Sequence, residues 1–320
     1  MADPRDNPLG IVVVNYASHE MIASNLGFLT DIPRDQVRVV VVDNLSDVYE
    51  REQLRLLAQE RNWDLVTPDS NLGFGGGMNL GVEHAIGIGC GHILLLNPDV
   101  SLTASALDQV RRALLADSGA IISPKILRPD SSIWFAGGQI DLRRGRTWTR
   151  PRPGRQPEDG WLTGACLAIS SQTWMDLGGF DDRYFMYWED VDLTRRHLSS
   201  GGSLIVDDSI LAVHAVGATQ GTGRKSNLYA RYVCRNRLLF ASEHLSWSEK
   251  LRWILHTPVE SWRIAMRDGR RSALTRPGYM FAAVRGSISG VFLVIRSLFR
   301  GSPARGESAS DPSAHRPSLG

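Results

Sequence analysis

"LGIVVVNY" (Leu9–Tyr16) is a β-branched run that ends in two polar residues. A short apolar run of this kind is typical of a strand buried on both faces. "VRVVVVDN" (Val37–Asn44) and "HILLLNPDV" (His92–Val100) repeat the pattern, and stretches with helical spacing lie at 18–29, 47–61 and 103–116. Strands that alternate with helices predict an α/β fold, a mostly parallel sheet with helices on both faces.

The composition describes a globular protein. The chain has 320 residues, of which 42% are hydrophobic and 22% charged, with a net charge of +2. That length is enough for a large core. The three cysteines are far apart, with no CxxC motif, and the N-terminus has no apolar signal segment. We therefore expect a reduced, cytoplasmic setting.

Polar residues follow the predicted strands where ligands bind in such sheets, at the carboxyl ends. They are Asn15, Asp43, Asn44, Asn97 and Asp99. Asp43 could accept a hydrogen bond from a nucleoside, or could form an ordinary Asx-turn. Asp99 could hold Mg²⁺ or Mn²⁺ against two phosphates, or could precede a helix as part of its N-cap region.

The glycine-rich stretch "GFGGGMNLG" (Gly73–Gly81) fits neither the GxGxxG template nor a P-loop. Two interpretations stay open. It could be a tight connection between a strand and a helix, or a backbone that approaches a nucleotide, with Asn71 and Asn79 nearby. Asn79 could instead be a local cap.

"FMYWEDVDLTRR" (Phe185–Arg196) places three carboxylates directly after aromatic residues. Apolar surroundings and neighbouring like charges raise a carboxyl pKa towards working pH, as a general base requires. Asp190 is therefore the candidate base, and the aromatic rings could stack on a sugar. For Asp192 we favour a salt bridge to Arg195 or Arg196. A downstream histidine, His214, could be a metal ligand or a structural residue.

Together these motifs, with "SNLGFGGGMN", "LNPD", the Gly-Ala of "LTGACLAI", and "GGFD", resemble the family 2 inverting glycosyltransferases. More narrowly, the chain is similar to bacterial rhamnosyltransferases that transfer from dTDP-L-rhamnose to polyprenyl-diphosphate-linked N-acetylglucosamine. The resemblance covers roughly residues 9–240. It implies a GT-A fold, a single Rossmann-like domain whose C-terminal part forms the acceptor site.

The resemblance also assigns roles. It implies that Asp43 binds the nucleoside, that Asp99 and His214 hold Mn²⁺ or Mg²⁺ with Asn97 in place of a first aspartate, and that Asp190 is the base. The remaining donor-site candidates are Asn15, Tyr16, Asn44, Asn71, Gly73, Asn79 and Asn97, and the acceptor or sugar pocket would include Gly164, Ala165, Tyr187, Trp188 and Glu189. We add Arg224 and Lys225 as diphosphate clamps. Arg231, Arg235 and Asn236 are weaker candidates.

The segment from Lys250 to Arg300 carries ten Lys/Arg against two Asp/Glu, together with Trp and Phe. Such a segment fits a helix in a membrane interface. We predict a catalytic domain over 1–240, a basic amphipathic helical segment over 241–300 and a disordered tail over 301–320. The enzyme would be peripheral on the inner face of the cell membrane. A helical cap or a homodimer contact is the alternative, and we expect no nucleic-acid partner.

Two rival functions compare less well, and one alternative stays open. A sugar-nucleotide pyrophosphorylase needs a Gly-rich, Arg-containing loop after the first strand, where this chain has "NYASHE". A non-catalytic nucleotide-sugar or glycan-binding protein has no use for a base beside a metal site. A galactofuranosyl- or other hexosyltransferase that uses a UDP-sugar belongs to the same family and stays open.

Overall fold

The structure is a computed structural model and describes residues 7–149, 152–215, 225–267 and 276–299. Its strands are β1 (Leu9–Asn15), β2 (Val37–Asp43), β3 (Asp64–Val66), β4 (His92–Leu96), β5 (Val100–Leu102), β6 (Ala120–Leu127), β7 (Ile133–Phe135), β8 (Gly138–Asp141), β9 (Arg146–Thr149), β10 (Gly154–Arg155), β11 (Gly160–Trp161), β12 (Cys166–Ser170) and β13 (Ser203–His214). Its α-helices are α1 (His19–Leu26), α2 (Val48–Arg61), α3 (Gly73–Gly87), α4 (Ala104–Ala116), α5 (Ser171–Leu177), α6 (Glu189–Ser199), α7 (Asn227–His244), α8 (Trp247–Ala265) and α9 (Pro277–Phe299), and a 3-10 turn follows α1.

The main sheet has the order β10-β13-β6-β12-β4-β1-β2-β3. Strands β4, β1, β2 and β3 run parallel to one another, and β13 runs parallel to β6. Every residue of β1 and β4 is buried, as their unbroken apolar runs predicted. The predicted α/β class is therefore confirmed.

The short strands β5, β7 and β10 are antiparallel to their partners, and one longer strand breaks the parallel pattern inside the sheet. β12 lies between β4 and β6 and is antiparallel to both. Cys166 pairs with Leu96, so the chain enters β12 at the carboxyl edge of β4. This placement brings residues 164–165 to the edge where the polar residues of the first half collect.

In its described residues, the Arg-, Pro- and Gly-rich region 125–160 forms strands, including the hairpin of β8 and β9. It contributes β7 and β10 to the main sheet, and β8 and β9 form a small antiparallel sheet with β11. Likewise, "GSLIVDDSILAVH" forms one long strand, β13, with an irregularity between Asp207 and Leu211. Strand pairing over long sequence separations decides both outcomes, and local composition does not reveal it.

The glycine-rich stretch is the first half of α3, and its glycines let that helix approach the sheet. A Cβ at Gly81 would lie 2.5 Å from Val12 Cγ1 and 2.8 Å from Val42 Cγ2. A Cβ at Gly77 would lie 3.0 Å from Val14 Cγ2. One face of α3 is therefore in contact with β1 and β2, the strands that carry Asn15 and Asp43.

Helices α7, α8 and α9 pack together at the C-terminal end, and the boundary predicted at residue 240 lies inside α7. By length and hydropathy α9 could cross a bilayer. One of its faces nevertheless packs tightly on α7, because a Cβ at Gly286 would meet the Arg231 carbonyl oxygen and one at Gly290 would lie 2.8 Å from Leu238. The predicted tail at 301–320 lies outside the described residues.

We expect Gly81→Ala to lower the free energy of unfolding by about 1–3 kcal/mol, because the added methyl group overpacks the interface between α3 and the sheet. Gly87→Ala is the matched control in the same helix, since nothing lies within 4 Å of its Cβ position. In an exposed helical position that change should stabilise by about 0.5–1 kcal/mol. Urea unfolding of both variants measures the difference, and equal effects would contradict this account of the packing.

Candidate active site

The ends of β1 and β2 lie side by side. Asn15 pairs with Asp43 in the parallel register, and the Asn44 backbone N–H donates to the Asn15 carbonyl oxygen over 3.0 Å. All three side chains are buried. Asn15 Oδ1 accepts from the Ser18 backbone and hydroxyl, whereas its Nδ2 is buried without a partner among the described residues.

Asp43 has one occupied and one unoccupied oxygen. Arg51 Nε donates to Oδ2 over 2.5 Å, and Arg51 also donates to the Pro68 carbonyl oxygen. Oδ1 is buried and has no hydrogen-bond partner in the described part of the chain. An unpaired buried acceptor is costly and calls for an explanation. A base N–H or a ribose hydroxyl is a suitable donor for it. Sequence reasoning missed Arg51, which lies one turn into the helix that follows "VDN".

Asn44 and Asn71 organise the loop before α3. Asn44 Nδ2 donates to Asn71 Oδ1 and to the Gly73 carbonyl oxygen, and Asn44 Oδ1 accepts from the Leu72 backbone. Asn71 Oδ1 also accepts from the Gly73 backbone N–H. Tyr16 follows β1 with 56% of its surface exposed, so its ring is available to a ligand at this edge.

Asp99 and His214 form the candidate metal pair. β5 pairs with β13 so that His214 faces Val100, and His214 Nε2 lies 3.0 Å from Asp99 Oδ1. Both side chains are buried, and the Trp134 ring meets the imidazole edge-on at 4.2 Å. Nearby, Asn97 Oδ1 is buried with no partner among the residues described.

These donors fit a divalent cation that shares its shell with a substrate. A carboxylate and an imidazole are both ligands of divalent metals, and Mg²⁺ sites on enzymes use few carboxylates and complete the shell with water and phosphate. In the described ranges no three His, Cys, Asp or Glu side chains are grouped to hold a metal by themselves. The pair would therefore need diphosphate oxygens to complete the site.

Asp190 lies at the start of α6 and is fixed by two backbone donors. Gly164 N–H donates to Oδ2 over 2.9 Å, and Val191 N–H donates to Oδ1 over 2.8 Å. Burial raises the pKa of Asp190 to about 6, although these backbone hydrogen bonds act in the opposite direction. A carboxylate with that pKa is ionised at neutral pH and basic enough to accept a proton.

Glu189 is buried beside it. Burial, together with the charge of Asp190, raises the pKa of Glu189 well above its ordinary value. Its Oε2 has no hydrogen-bond partner within the described residues. The raised pKa favours the protonated form of Glu189 beside the charged form of Asp190, and this is how two adjacent carboxyl groups avoid repulsion.

The loop before α6 holds a strained backbone. Tyr187 and Trp188 have φ angles of 67° and 74°, a region that bulky residues rarely adopt. Asn236 Nδ2 on α7 donates to the carbonyl oxygens of Met186 and Tyr187 and so holds the loop from behind. Strain of this kind collects at functional sites. The sequence contains no local signal that links Asn236 to this loop.

Gly164 and Ala165 join the base to the sheet edge. Gly164 N–H donates to Asp190, and the Ala165 carbonyl oxygen accepts from the Asn97 backbone over 2.9 Å. Asn97 lies two residues before Asp99. The structure therefore brings the candidate base and the candidate metal pair to the same edge of the sheet.

Two of the predicted site residues, Gly73 and Trp188, make contacts within the protein. Gly73 approaches the chain itself: a Cβ there would meet the Phe185 carbonyl oxygen, to which Phe74 N–H donates over 2.8 Å. Trp188 is buried against Phe240 and Trp253, so it offers no face to a sugar ring.

Asn79 uses its amide to hold the "GGFD" turn. Its Nδ2 donates to the Phe180 carbonyl oxygen and to Asp182, and its Oδ1 accepts from the Phe180 backbone. Asp192 pairs with Arg196 at 2.8 Å and His244 at 2.7 Å, as the salt-bridge interpretation expected.

The remaining candidates are less central. Tyr187 packs edge-on against Tyr229, and Lys225 Nζ lies 5.0 Å above the Tyr229 ring. Arg235 donates to the Arg183 carbonyl oxygen and to Asn236. Arg231 lies against α9 through its backbone. Arg224 lies outside the described residues, so its role as a clamp stays a prediction.

Comparison with known proteins decides the family. Residues 10–175 match the family described as "Glycosyl transferase family 2", and this match covers all the strand ends described above except that of β13. The chain belongs to glycosyl transferase family 2. It is a glycosyltransferase, and the GT-A fold that the motifs implied is confirmed.

Relatives of the glycosyltransferase act on several sugars. It is 27% identical to the N-acetylglucosaminyl-diphospho-decaprenol L-rhamnosyltransferase of Mycobacterium tuberculosis. The alignment spans 278 residues and covers 77% of this chain and 89% of the relative. It is 23% identical to the low-salt glycan biosynthesis hexosyltransferase Agl10 of Haloferax volcanii, over 88% of this chain and 91% of that protein.

Among solved structures, the mannosyltransferase PcManGT of Pyrobaculum calidifontis, in complex with GDP-Man and Mn²⁺, superposes with a TM-score of 0.55 and 17% identity. That superposition covers 93% of this chain and 89% of the other. A likeness at this level shows the shared fold.

The raised pKa of Asp190 predicts an acidic limb in the pH dependence of kcat/KM. Because the carboxylate form is the base, activity should fall about tenfold per pH unit below pH about 6.

Asp190→Asn should lower kcat by about two to four orders of magnitude and leave donor affinity nearly unchanged.

Glu189→Gln is the matched neighbour. It replaces a carboxyl that is already neutral, so the acidic limb should persist in this variant. A limb that disappears with Glu189→Gln would assign the titration to Glu189 and contradict the role of Asp190, as would near-normal transfer by Asp190→Asn.

Proposed function

We propose that the protein is an inverting transferase that moves L-rhamnose from dTDP-L-rhamnose to a hydroxyl of polyprenyl-diphosphate-linked N-acetylglucosamine, in cell-wall or polysaccharide assembly. The observation that supports it is a group of buried polar atoms along one sheet edge that have no partner among the described residues, next to a carboxylate with a raised pKa. They are Asn15 Nδ2, Asp43 Oδ1, Asn97 Oδ1 and His214 Nδ1. A nucleoside diphosphate offers partners for donors and acceptors of this kind.

The chemistry is a single displacement. Asp190 accepts the proton of the acceptor hydroxyl as that oxygen forms its bond to the anomeric carbon. The bond between the anomeric carbon and the phosphate oxygen breaks, and the nucleoside diphosphate leaves with the electron pair. Two backbone hydrogen bonds keep Asp190 oriented, so little reorganisation precedes the proton transfer.

A second group of residues would bind the nucleoside and the diphosphate of the donor. Asp43 would bind the nucleoside through its Oδ1, next to the loop that Asn44 holds, and Asp99 and His214 would hold Mn²⁺ or Mg²⁺ at the diphosphate. A divalent cation there supplies charge stabilisation for the leaving group. Asn97 in place of a carboxylate leaves the cation with more positive charge to share with the phosphates.

The acceptor side points to a membrane. α8 exposes Trp247, Leu255, Val259 and Trp262, and α9 exposes Phe281, Val284, Ile288, Phe292 and Phe299. Exposed apolar stripes of this size mark an interface with a membrane or a protein. A lipid-linked acceptor favours the membrane, and we propose a peripheral position on its inner face, with pairing of two chains as the alternative.

Removal of the metal should abolish transfer. We expect EDTA to remove activity and Mn²⁺ or Mg²⁺ to restore it, and Asp99→Asn to weaken donor binding in the presence of metal by about tenfold or more. Asp208→Asn, an exposed carboxylate change in β13, is the control. Calorimetric titration with the donor nucleotide measures the affinities, and metal-independent binding that is unaffected by Asp99→Asn would contradict the proposed site.

A donor panel tests the function itself. The full-length protein is incubated with a polyprenyl-diphosphate N-acetylglucosamine acceptor and, separately, with dTDP-L-rhamnose, UDP-galactofuranose, UDP-glucose and GDP-mannose. We expect transfer from dTDP-L-rhamnose at least about tenfold above the others, since one well-placed sugar contact discriminates by that amount. Preference for a UDP- or GDP-sugar would keep the enzyme class and overturn the assignment to rhamnose.

A further inference from the structure

A cationic groove lies away from the sheet edge, between the turn that joins β8 to β9 and helix α8. It is open, has a volume of about 520 Å³, and is lined by Arg143, Arg144, Arg252 and His256. No carboxylate lines it in the described structure. Two carboxylates lie near its rim: Asp141 Oδ2 lies 3.8 Å from Arg144 Nη1, and Glu249 on α8 interacts electrostatically with Arg252.

The turn that presents Arg143 and Arg144 is rigid. Both backbone N–H groups donate to Asp141 Oδ1, and Gly145 N–H donates to the Asp141 carbonyl oxygen. Gly145 has a φ of 68°, and a Cβ there would meet the Trp253 ring at 2.9 Å. The turn therefore rests directly on α8.

Polar contacts beneath the turn anchor it further. Trp253 Nε1 donates to the Leu142 carbonyl oxygen over 2.7 Å. Arg237, buried on α7, donates to the Gly145 carbonyl oxygen, and Arg146 pairs with Glu260 of α8 at 2.5 Å. The two exposed arginines thus project from a fixed support, whereas the arginines of a mobile loop would have to be ordered on binding.

The groove borders the apolar stripe of α8. Arg252 and His256 follow Leu251 and Leu255 by one position, about 100° around the helix, and lie one turn apart on the same face. Leu255 is 71% exposed, while Trp253 and Glu260 are buried on the side of α8 that packs against the protein. A cationic strip therefore lies between the exposed apolar stripe and the β8–β9 turn.

We propose that this groove binds the phosphate headgroup of an anionic membrane lipid, while the stripe Trp247, Leu251, Leu255, Val259 and Trp262 inserts into the interface. Guanidinium groups match phosphate oxygens in geometry and charge. The adjoining apolar stripe favours a lipid over a soluble phosphate, because basic residues beside exposed Trp and Leu are the pattern of interfacial helices. This inference extends the membrane position proposed above and specifies the surface that docks.

The test uses the full-length protein and vesicles without acceptor or donor, so its outcome does not depend on which sugar the enzyme transfers. Binding is measured by co-sedimentation with phosphatidylcholine vesicles and with vesicles that also contain phosphatidylglycerol. We expect Arg143→Gln with Arg144→Gln to lower affinity for the anionic vesicles about tenfold or more, because each basic residue near an anionic surface contributes to binding. The matched control is Arg111→Gln with Arg112→Gln on α4, which removes the same charge elsewhere and should have little effect.

The remaining measurements distinguish an anionic lipid from free phosphate and from a second copy of the chain. Leu255→Gln should weaken binding to vesicles, whereas inorganic phosphate should compete only weakly with anionic vesicles. Equal losses in the two double variants would show a net-charge effect and overturn the proposal. So would strong competition by free phosphate, or a dimer in sedimentation velocity that Leu255→Gln dissociates, since that would make α8 a contact between copies of the chain. An unchanged melting temperature of the double variant confirms that it is folded.

Discussion

The site depends on two backbone hydrogen bonds made by consecutive residues. Gly164 N–H donates to the Asp190 carboxylate, and the Ala165 carbonyl oxygen accepts from Asn97 N–H. The first bond orients the proposed base, and the second fixes the loop that carries Asp99. Both exist because β12 enters the sheet antiparallel to β4, which places its first residues at the carboxyl edge of that strand. The geometry between base and diphosphate site is therefore set by the sheet and not by a flexible loop.

Several groups at this edge are in energetically unfavourable environments, and packing in the rest of the fold compensates for them. Asp43 and Asn97 have buried oxygens without a hydrogen-bond partner in the described part of the chain, Glu189 is buried beside another carboxyl, and Trp188 has a positive φ. Each is unfavourable in a folded protein without ligand. The core beneath them is apolar and tightly packed, with α3 in contact with β1 and β2 through glycine, and Asn236 holds the strained loop. Unfavourable features that are concentrated at one edge of a sheet are typical of a preorganised site.

Much of this fold could be predicted from periodicity, because buried parallel strands and their helices leave strong local patterns. The polar residues at the strand ends followed from that topology, and Asp190 from its apolar neighbours. The antiparallel insertion of β12 could not be predicted, since pairing with β4 is a long-range contact without a local pattern. For the same reason Gly73 and Trp188 were assigned to ligand binding, although one packs against Phe185 and the other against α7 and α8. Arg51 and Asn236 act across elements that sequence spacing does not connect.

The central claim is that Asp190 and the pair Asp99–His214 act on opposite sides of the anomeric carbon, Asp190 on the attacking hydroxyl and the metal pair on the leaving diphosphate. A crystal structure of the protein with Mn²⁺ and an intact, unreactive analogue of the sugar nucleotide measures this directly. The account predicts the cation at Asp99 and His214, bridging the diphosphate, with the anomeric carbon between the phosphate and the Asp190 carboxylate. A diphosphate bound away from Asp99, or a sugar whose anomeric carbon faces away from Asp190, would contradict it.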